Sequence, residues 1–456
     1  MIFFCVSKTF RPYTPGQAFL LPPSPLDWLP EDHLARFIMD VVKKLDLATV
    51  YQRYEGDLRG YSPYHPQMMV ALMLYGYCVG VPSSRKIEKK THEDIAFRVI
   101  AGGAQPDHSS ISEFRRVHLN ALAELFVQVL RLCQAAGMVS LGHVSLDGTK
   151  VKANASKHKA MSYERMQKDE QRLREKVADL LKAAAAADAE EDKAHGKHKR
   201  GDELPEDLRR AKDRLARIDE LKAALEAEAR AQHEAEKAAD NDDRDPPPPG
   251  ATPLPSHKVP RTKDGTPGPK SQRNFTDPES RIMKSGDGFV QGYNCQAAVD
   301  AEHQIIVAQA VTNQPPDVEH LIPMVEKVVE NCEAIPEKWS ADAGYFSEQN
   351  LTEIVKWKID PYIATGRRKH DEPPPSVHGR PPANLTIKQR MARKLATKQG
   401  AAVYARRKVI PEPVFGQIKE ARGFRRFLLR GLAKVRGEWS LVALTHNLLK
   451  LHAAAC

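Results

Sequence analysis

No stretch of this chain carries roughly eighteen consecutive apolar residues, so no segment reads as a membrane-crossing helix. Cysteine is sparse and scattered: Cys5, Cys78, Cys133, Cys295, Cys332 and Cys456 include no C-x-x-C pair, which excludes a zinc knuckle and a disulfide framework. A reducing cytoplasm is the expected setting. The N-terminal MIFFCV run is too short for a secretory core, and Lys8, Arg11 and Pro12 follow it where a cleavage site would need small residues. Histidines such as His143, His158 and His303 lack metal-ligand spacing. Tyr345 and Tyr404 have no surrounding Arg/His constellation, which argues against a tyrosine that attacks phosphorus.

What the chain does have is length and a lopsided charge. Its 456 residues exceed the usual limit of one core, so two or three structural units are expected. From Arg367 to Arg436 there are 19 Lys and Arg against 4 acids, a net of +15, whereas the whole chain carries +10. The remainder is therefore slightly acidic. Such concentration is the footprint of a polyanionic partner, because each phosphate neutralised releases condensed counterions; the alternative is a solvated basic surface.

Residues 1–140 read as helical, with apolar residues at three- and four-residue steps in 31–46 and 66–80 and a long stripe after Ser109 and Ser110, which are placed to cap it. Pro66 suits a helix first turn. Short helices joined by Gly and Pro turns suggest a helix-turn-helix-like module. The pattern changes at 141–152, LGHVSLDGTKVK, which reads as a strand around a turn and opens a new domain. Heptad-like spacing at Met166, Leu173, Val177 and Leu180, and again at Leu208, Leu215, Ile218 and Leu225, predicts two long helices paired antiparallel across 158–239. The polar, proline-rich stretch 240–272 is expected to be a disordered linker. Then GFVQGYNCQAAVD and QIIVAQAVT form a hairpin, DVEHLIPMVEKVVENC a helix, KWSADAG a strand, SEQNLTEIVKWK a helix and DPYIAT a strand, before a closing helical region.

Three carboxylates stand out against that layout. Phosphodiester cleavage and transfer call for two hard cations roughly 3.5 to 4 Å apart, held by acids on rigid elements. Asp147 follows an apolar strand and precedes Lys150, Lys152 and Asn154, donors suited to a nucleic-acid backbone. Asp342 falls at a strand end before a Gly turn, where ligand sites concentrate. Glu412 lies between Pro411 and Pro413, which fixes it at a helix start, and Lys419 comes two turns later on the same face. Each alone is as well explained by a turn or a cap.

The strings LDGTK, YERM (163–166), RGDELPEDL, TDPESRIMKSGDGFVQGYNCQAAVD, ADAGY and PEPVFGQIK, in this order behind a helical N-terminal region, resemble bacterial insertion-sequence transposases of the DDE type, over nearly the whole chain. The resemblance implies an α/β ribonuclease-H-like core of mixed sheet with helices (141–157 and 273–452), an all-α N-terminal domain that binds DNA, and an inserted antiparallel helical hairpin. It implies catalysis by Asp147, Asp342 and Glu412 holding two Mg²⁺ ions, with Mn²⁺ able to substitute. The partners it implies are terminal inverted repeats and target DNA, in a homodimeric complex in the cytoplasm at the nucleoid. The family's third motif is Tyr, two residues, Arg, three residues, Glu, six residues, Lys. Tyr404, Arg407, Glu412 and Lys419 are present, but four residues separate Arg407 from Glu412 and Lys408 takes the expected spacing. Which base contacts the transferred strand stays open between Arg407 and Lys408. Lys150, Lys152, Asn154, Arg367, Arg368, Lys419 and Arg422 complete the expected DNA contacts.

The expected chemistry is cleavage by activated water, then in-line attack of the freed 3′-hydroxyl on target DNA. The alternatives are a metal-dependent nuclease on the same core and a DNA-binding protein whose acids are structural.

Overall fold

In the computed structural model, residues 24–54, 62–195, 206–240, 252–286, 288–366, 377, 379 and 381–455 are described. The N-terminal helices are α1 (Leu34–Lys44), α2 (Ala48–Gln52), α3 (Pro66–Cys78), α4 (Ser84–Glu93), α5 (Ile95–Ile100) and α6 (His108–Ala135). Pro66 does open α3, and from Met69 to Cys78 every residue of α3 is buried, so the helix has no polar face and sits inside the protein. The cap of α6 is Asp107: its carboxylate accepts from the amides of Ser109 (2.9 Å) and Ser110 (3.0 Å), so the two serines expected as caps are the residues being capped.

The helical region is not a separate module. One apolar core runs from Leu29 to Leu448, and the last helix, α14 (Leu432–Ala455), packs on α3 and α6 on one side and on the sheet on the other. Gly437 permits the α6 approach, since a Cβ there would lie 2.6 Å from Leu119 Cγ.

The sheet holds β1 (Val144–Lys152), β4 (Arg281–Ser285), β5 (Gly288–Asp300), β6 (Ile306–Thr312), β7 (Lys338–Ala341) and β8 (Asp360–Ile363), with the short β2 (Ala160–Ser162) and β3 (Gln272–Asn274) paired apart from it. The order is β4-β5-β1-β7-β8, with β6 also on β5. β1, β7 and β8 run parallel, whereas β5 is antiparallel to β1, β4 and β6. Helices α9 (Leu321–Cys332) and α10 (Glu348–Lys356) make the crossovers. This is a mixed α/β sheet with helices behind a helical N-terminal region. The hairpin and the later strands fall where alternation predicts them, but β1 does not turn at Asp147-Gly148: it runs straight through, because the long β5 pairs with it residue by residue from Asp300 to Gly292.

Helices α7 (Tyr163–His195) and α8 (Glu206–Asp240) pack through Met166, Leu173, Ile218 and Leu221. Their pairs Tyr163–Glu226 (2.6 Å), Glu170–Lys222 (2.7 Å) and Arg174–Asp219 (3.2 Å) descend on one helix as they ascend on the other. Of the expected disordered linker, 241–251 lies outside the described residues, and 252–272 is an ordered strap. Thr252 donates to Glu326 through its amide (3.0 Å) and hydroxyl (2.8 Å), the His257 amide donates to Asn313 Oδ1 (2.9 Å), and Val259 is 3% exposed with its amide on Gln232 Oε1 (2.8 Å). Composition alone predicted disorder; buried side-chain acceptors waiting on α8, α9 and the loop after β6 supply the backbone partners that fix it. The remaining helices are α11 (Ile387–Ala396), α12 (Lys398–Ala405) and α13 (Pro411–Gly416). No helix among the described residues is long and apolar enough to cross a membrane.

Candidate active site

The parallel pairing of β1 with β7 matches Leu146 to Ala341, so the next residue of each strand, Asp147 and Asp342, comes out side by side. Asp342 then caps a short 3-10 turn, accepting from the Gly344 amide at 2.8 Å, which holds its carboxylate at the strand end as expected. Asp147 is held by the Gly148 amide (2.8 Å) and by Arg407, whose Nη1 donates to its Oδ2 at 3.3 Å. Burial pushes the Asp147 carboxyl up to about 6; Arg407 and the amide pull against that, while Asp342 and Asp317 add to it. Burial also opposes charge on Arg407, but Asp147, Tyr404 and Asp342 outweigh it and raise its pKa.

Asp317, read from the sequence only as a helix start, is the residue that reading missed. It receives Lys150 Nζ (3.1 Å), Asn294 Nδ2 (2.7 Å) and Gln296 Nε2 (2.9 Å) on the face of β1 opposite Asp147. Its signal was the pair Asn294 and Gln296, amides at alternate positions that fall on one face of a largely apolar strand. Gly148 leaves room for the cluster on that face: a Cβ there would stand 2.7 Å from Gln296 Nε2, 3.0 Å from the Tyr345 hydroxyl and 3.1 Å from Asp317 Oδ1. Tyr345 donates to Gln296 Oε1 and stays a phenol, its pKa raised by burial and then by Asp317, Asp147 and Asp342.

The other expected site residues fall into distinct places. Glu412 lies in the first turn of α13, which packs on β1 and β5, but its side chain is exposed. Among the described residues no group of three or more His, Cys, Asp and Glu is arranged to hold a metal ion, so the structure joins Asp147 to Asp342 without completing the set through Glu412. The two aspartates nevertheless fit a hard cation: a buried carboxylate whose proton is retained to about 6 lacks positive charge, and the oxygen donors match Mg²⁺, which takes one or two carboxylates with water and phosphate oxygens.

Lys419 comes after α13 widens into a π turn over 417–421, and its Nζ donates to Thr149 Oγ1 and to the Lys150 carbonyl (3.3 Å), bringing it onto Asp147's strand. Arg407 points inward with its buried Nε unpartnered, whereas Lys408 is exposed. Lys152 is exposed; Asn154 is spent on the Leu428 carbonyl (2.8 Å). Arg422 is a correction. Its guanidinium is inside the core, donating to Thr445 Oγ1 (2.7 Å) and the Val442 carbonyl (3.2 Å), and burial brings its pKa down to about 10, so it cannot reach a phosphate. The sequence could not separate it from its basic neighbours because its partners come from α14. Arg367 and Arg368 lie outside the described residues.

A helical region leading into a mixed sheet with paired aspartates at its centre defines a candidate phosphoryl-transfer protein, and both parts match transposase families. Residues 23–117 match the family described as Transposase domain (DUF772), and residues 256–448 match the Transposase DDE domain. The chain belongs to the DDE transposases of insertion sequences. No curated protein and no solved structure matches it.

Proposed function

We propose that this transposase binds the ends of its insertion sequence, cleaves them and joins the freed 3′ ends to target DNA, using Asp147, Asp342 and Glu412. The observation that carries the proposal is the register that sets Asp147 beside Asp342 with Arg407 against them. The strand order around β1, with Asp147 on the first strand of the sheet and Asp342 directly after β7, its parallel neighbour, supports a ribonuclease-H-like core with α7 and α8 as an inserted hairpin.

Asp147 and Asp342 would hold Mg²⁺, or Mn²⁺ in its place, with Glu412 drawn in from the start of α13. When bound, the ions lower the pKa of the attacking water or hydroxyl and neutralise charge on the leaving oxygen. Arg407 opposes protonation of Asp147 and stands against that carboxylate, which favours Arg407 over Lys408 as the base that contacts the transferred strand. Lys419 fixes Thr149 and the backbone of β1, so the carboxylate is presented at a constant height. Lys152 and Lys408 meet backbone phosphates from the surface.

The test uses purified protein, Mg²⁺ or Mn²⁺, and duplex DNA carrying the repeats that flank the gene. Joined products support the reading. Cuts without joints favour a nuclease, and binding alone a protein whose acids are structural. Asp147→Asn, Asp342→Asn and Glu412→Gln are each expected to abolish cleavage while DNA binding persists; cleavage retained in any one removes that residue from the site.

A further inference from the structure

Ten buried side-chain nitrogen and oxygen atoms lack a hydrogen-bond partner among the described residues, and four of them belong to residues that line one cavity: His257 Nδ1, Arg273 Nε, Arg281 Nε and Gln291 Oε1. The cavity, about 160 Å³, opens between the strap, β3 and β4. Water needs only a fraction of that volume, and an oxyanion of phosphate size also fits. Buried donors without partners are costly, so their concentration at one place points to something that satisfies them together.

The charges indicate an anion. The side chains of Arg273 and Arg281 are 10% and 6% exposed, and both lean on one carboxylate, Glu228, which Arg281 reaches at 3.3 Å. With Glu279 also acting on Arg281, the two guanidinium groups face two carboxylates, and Lys270 in the cavity lining is the cation in excess, which is unfavourable without a counterion where it is drawn inward. Lys270 stands exposed at the rim and forms no ion pair among the described residues, and Glu279, which also acts on Arg281, is engaged with the Leu432 amide at 2.8 Å. The field reaches His257, whose pKa is pushed down to about 4 by burial and then by Arg281 and Arg273, leaving a neutral ring able to donate from Nδ1. Gln291 is anchored by Nε2 on Ser280 Oγ (2.7 Å), which in turn donates to the Asp277 carbonyl (2.7 Å), so its Oε1 is left as an acceptor.

The place is distinct from the aspartates. Gln291 precedes Ala297, the partner of Asp147 on β5, by six residues. At about 3.4 Å per residue that is roughly 20 Å along the sheet, the rise of about six base pairs. Exposed Lys157 and Lys159 occupy the turn just before Ala160, which lines the cavity. A duplex seated at the aspartates has a basic path to it.

We propose that this cavity is a phosphate-binding site in which Arg273, Arg281 and Lys270 hold an oxyanion, supplied by the backbone of DNA that reaches the catalytic aspartates. Only the source of the phosphate rests on the DNA reading above; the pocket rests on its own donors.

Two arms on the full chain separate these. In the first, a labelled duplex of arbitrary sequence is titrated by fluorescence anisotropy over a range of salt. Lys270→Gln and Arg273→Gln are expected to weaken binding by roughly three- to tenfold and to reduce the slope of log K against log salt by about one, the loss of one phosphate contact, while Lys284→Gln, exposed elsewhere on β4, leaves the slope unchanged. In the second, inorganic phosphate is titrated calorimetrically at fixed ionic strength, with saturable binding expected in wild type and lost in the same two variants. Phosphate binding without any duplex binding keeps the pocket and overturns both its DNA source and the transposition reading. Duplex binding with unchanged slopes and no phosphate heat overturns the pocket. Lys270 is on the surface, so Lys270→Gln decides the matter even where Arg273→Gln fails to fold.

Discussion

Glu438 and Asp147 are both acids drawn into the core of one chain, and their surroundings treat them in opposite ways. Glu438 is fully buried on α14, and every direction around it is filled: it accepts from the amides of Leu428 (3.1 Å) and Leu429 (3.0 Å) and from the Tyr77 hydroxyl (3.2 Å), which Arg115 backs at 3.4 Å. Arg422, which precedes that helix in the chain, is likewise spent on α14. Asp147 has one amide and one guanidinium, with two more aspartates in its field. The first arrangement locks the N-terminal helices to the sheet domain. The second keeps a deficit of positive charge beside an open strand end, which is what a site awaiting cation and phosphate requires.

The sharpest way to break the comparison is to empty the satisfied cluster. Glu438→Ala strands two amides, Tyr77 and Arg115, and is expected to cost about 3 to 5 kcal/mol, read as a lower urea midpoint; a loss below about 1 kcal/mol would mean that the network is not a lock. Asp147→Asn should move stability in the other direction. Burial pushes the folded carboxyl up from its ordinary 3.8 to about 6, so between those values the folded state holds the extra proton, stability falls as pH rises, and the penalty is constant above. Replacement by Asn is expected to stabilise the metal-free protein by about 2 kcal/mol at pH 7.5, fading to nothing as pH falls toward 4, measured as a melting difference across pH. A flat difference would show that Asp147 is not strained.

A third test links the faces of β1. In Gly148→Ala the new methyl meets Gln296, Tyr345 and Asp317, with an expected cost of about 1 to 3 kcal/mol and loss of strand cleavage in the fraction that stays folded. Unchanged cleavage would separate Asp317 from the site. The smallest effect distinguishes the two bases. Lys408→Ala should alter stability by no more than about 0.5 kcal/mol, whereas Arg407→Ala deprives Asp147 of its counterion and raises its pKa further, visible by carboxyl NMR titration. An Asp147 titration that is indifferent to Arg407→Ala contradicts the ion pair.

Much of the sheet was legible in the residues. The alternation in 288–300 marks β5 to its limits, and apolar runs bounded by Gly mark β1 and β7. Asp147 and Asp342 were legible because each sits where an apolar strand gives way to polar residues. Asp317 and the fate of Arg422 were not, since a carboxylate at a helix start and an arginine in a basic run look the same whether they face water or a strand. The strap over 252–272 was misread for a related reason: its composition cannot form a core alone, but Glu326, Asn313 and Gln232 hold it from outside.

Local pattern thus determined the elements, the acids at strand ends and the basic C-terminal half, because periodicity, capping and charge act over a few residues. Tertiary structure alone decided that Asp147 stands beside Asp342, that Arg407 turns inward while Lys408 turns out, that Glu412 is exposed at the start of α13, and that Arg273 and Arg281 share one glutamate. Each of those depends on strand register or on partners more than forty residues away, and burial converts such proximity into the charge imbalance on which the chemistry rests.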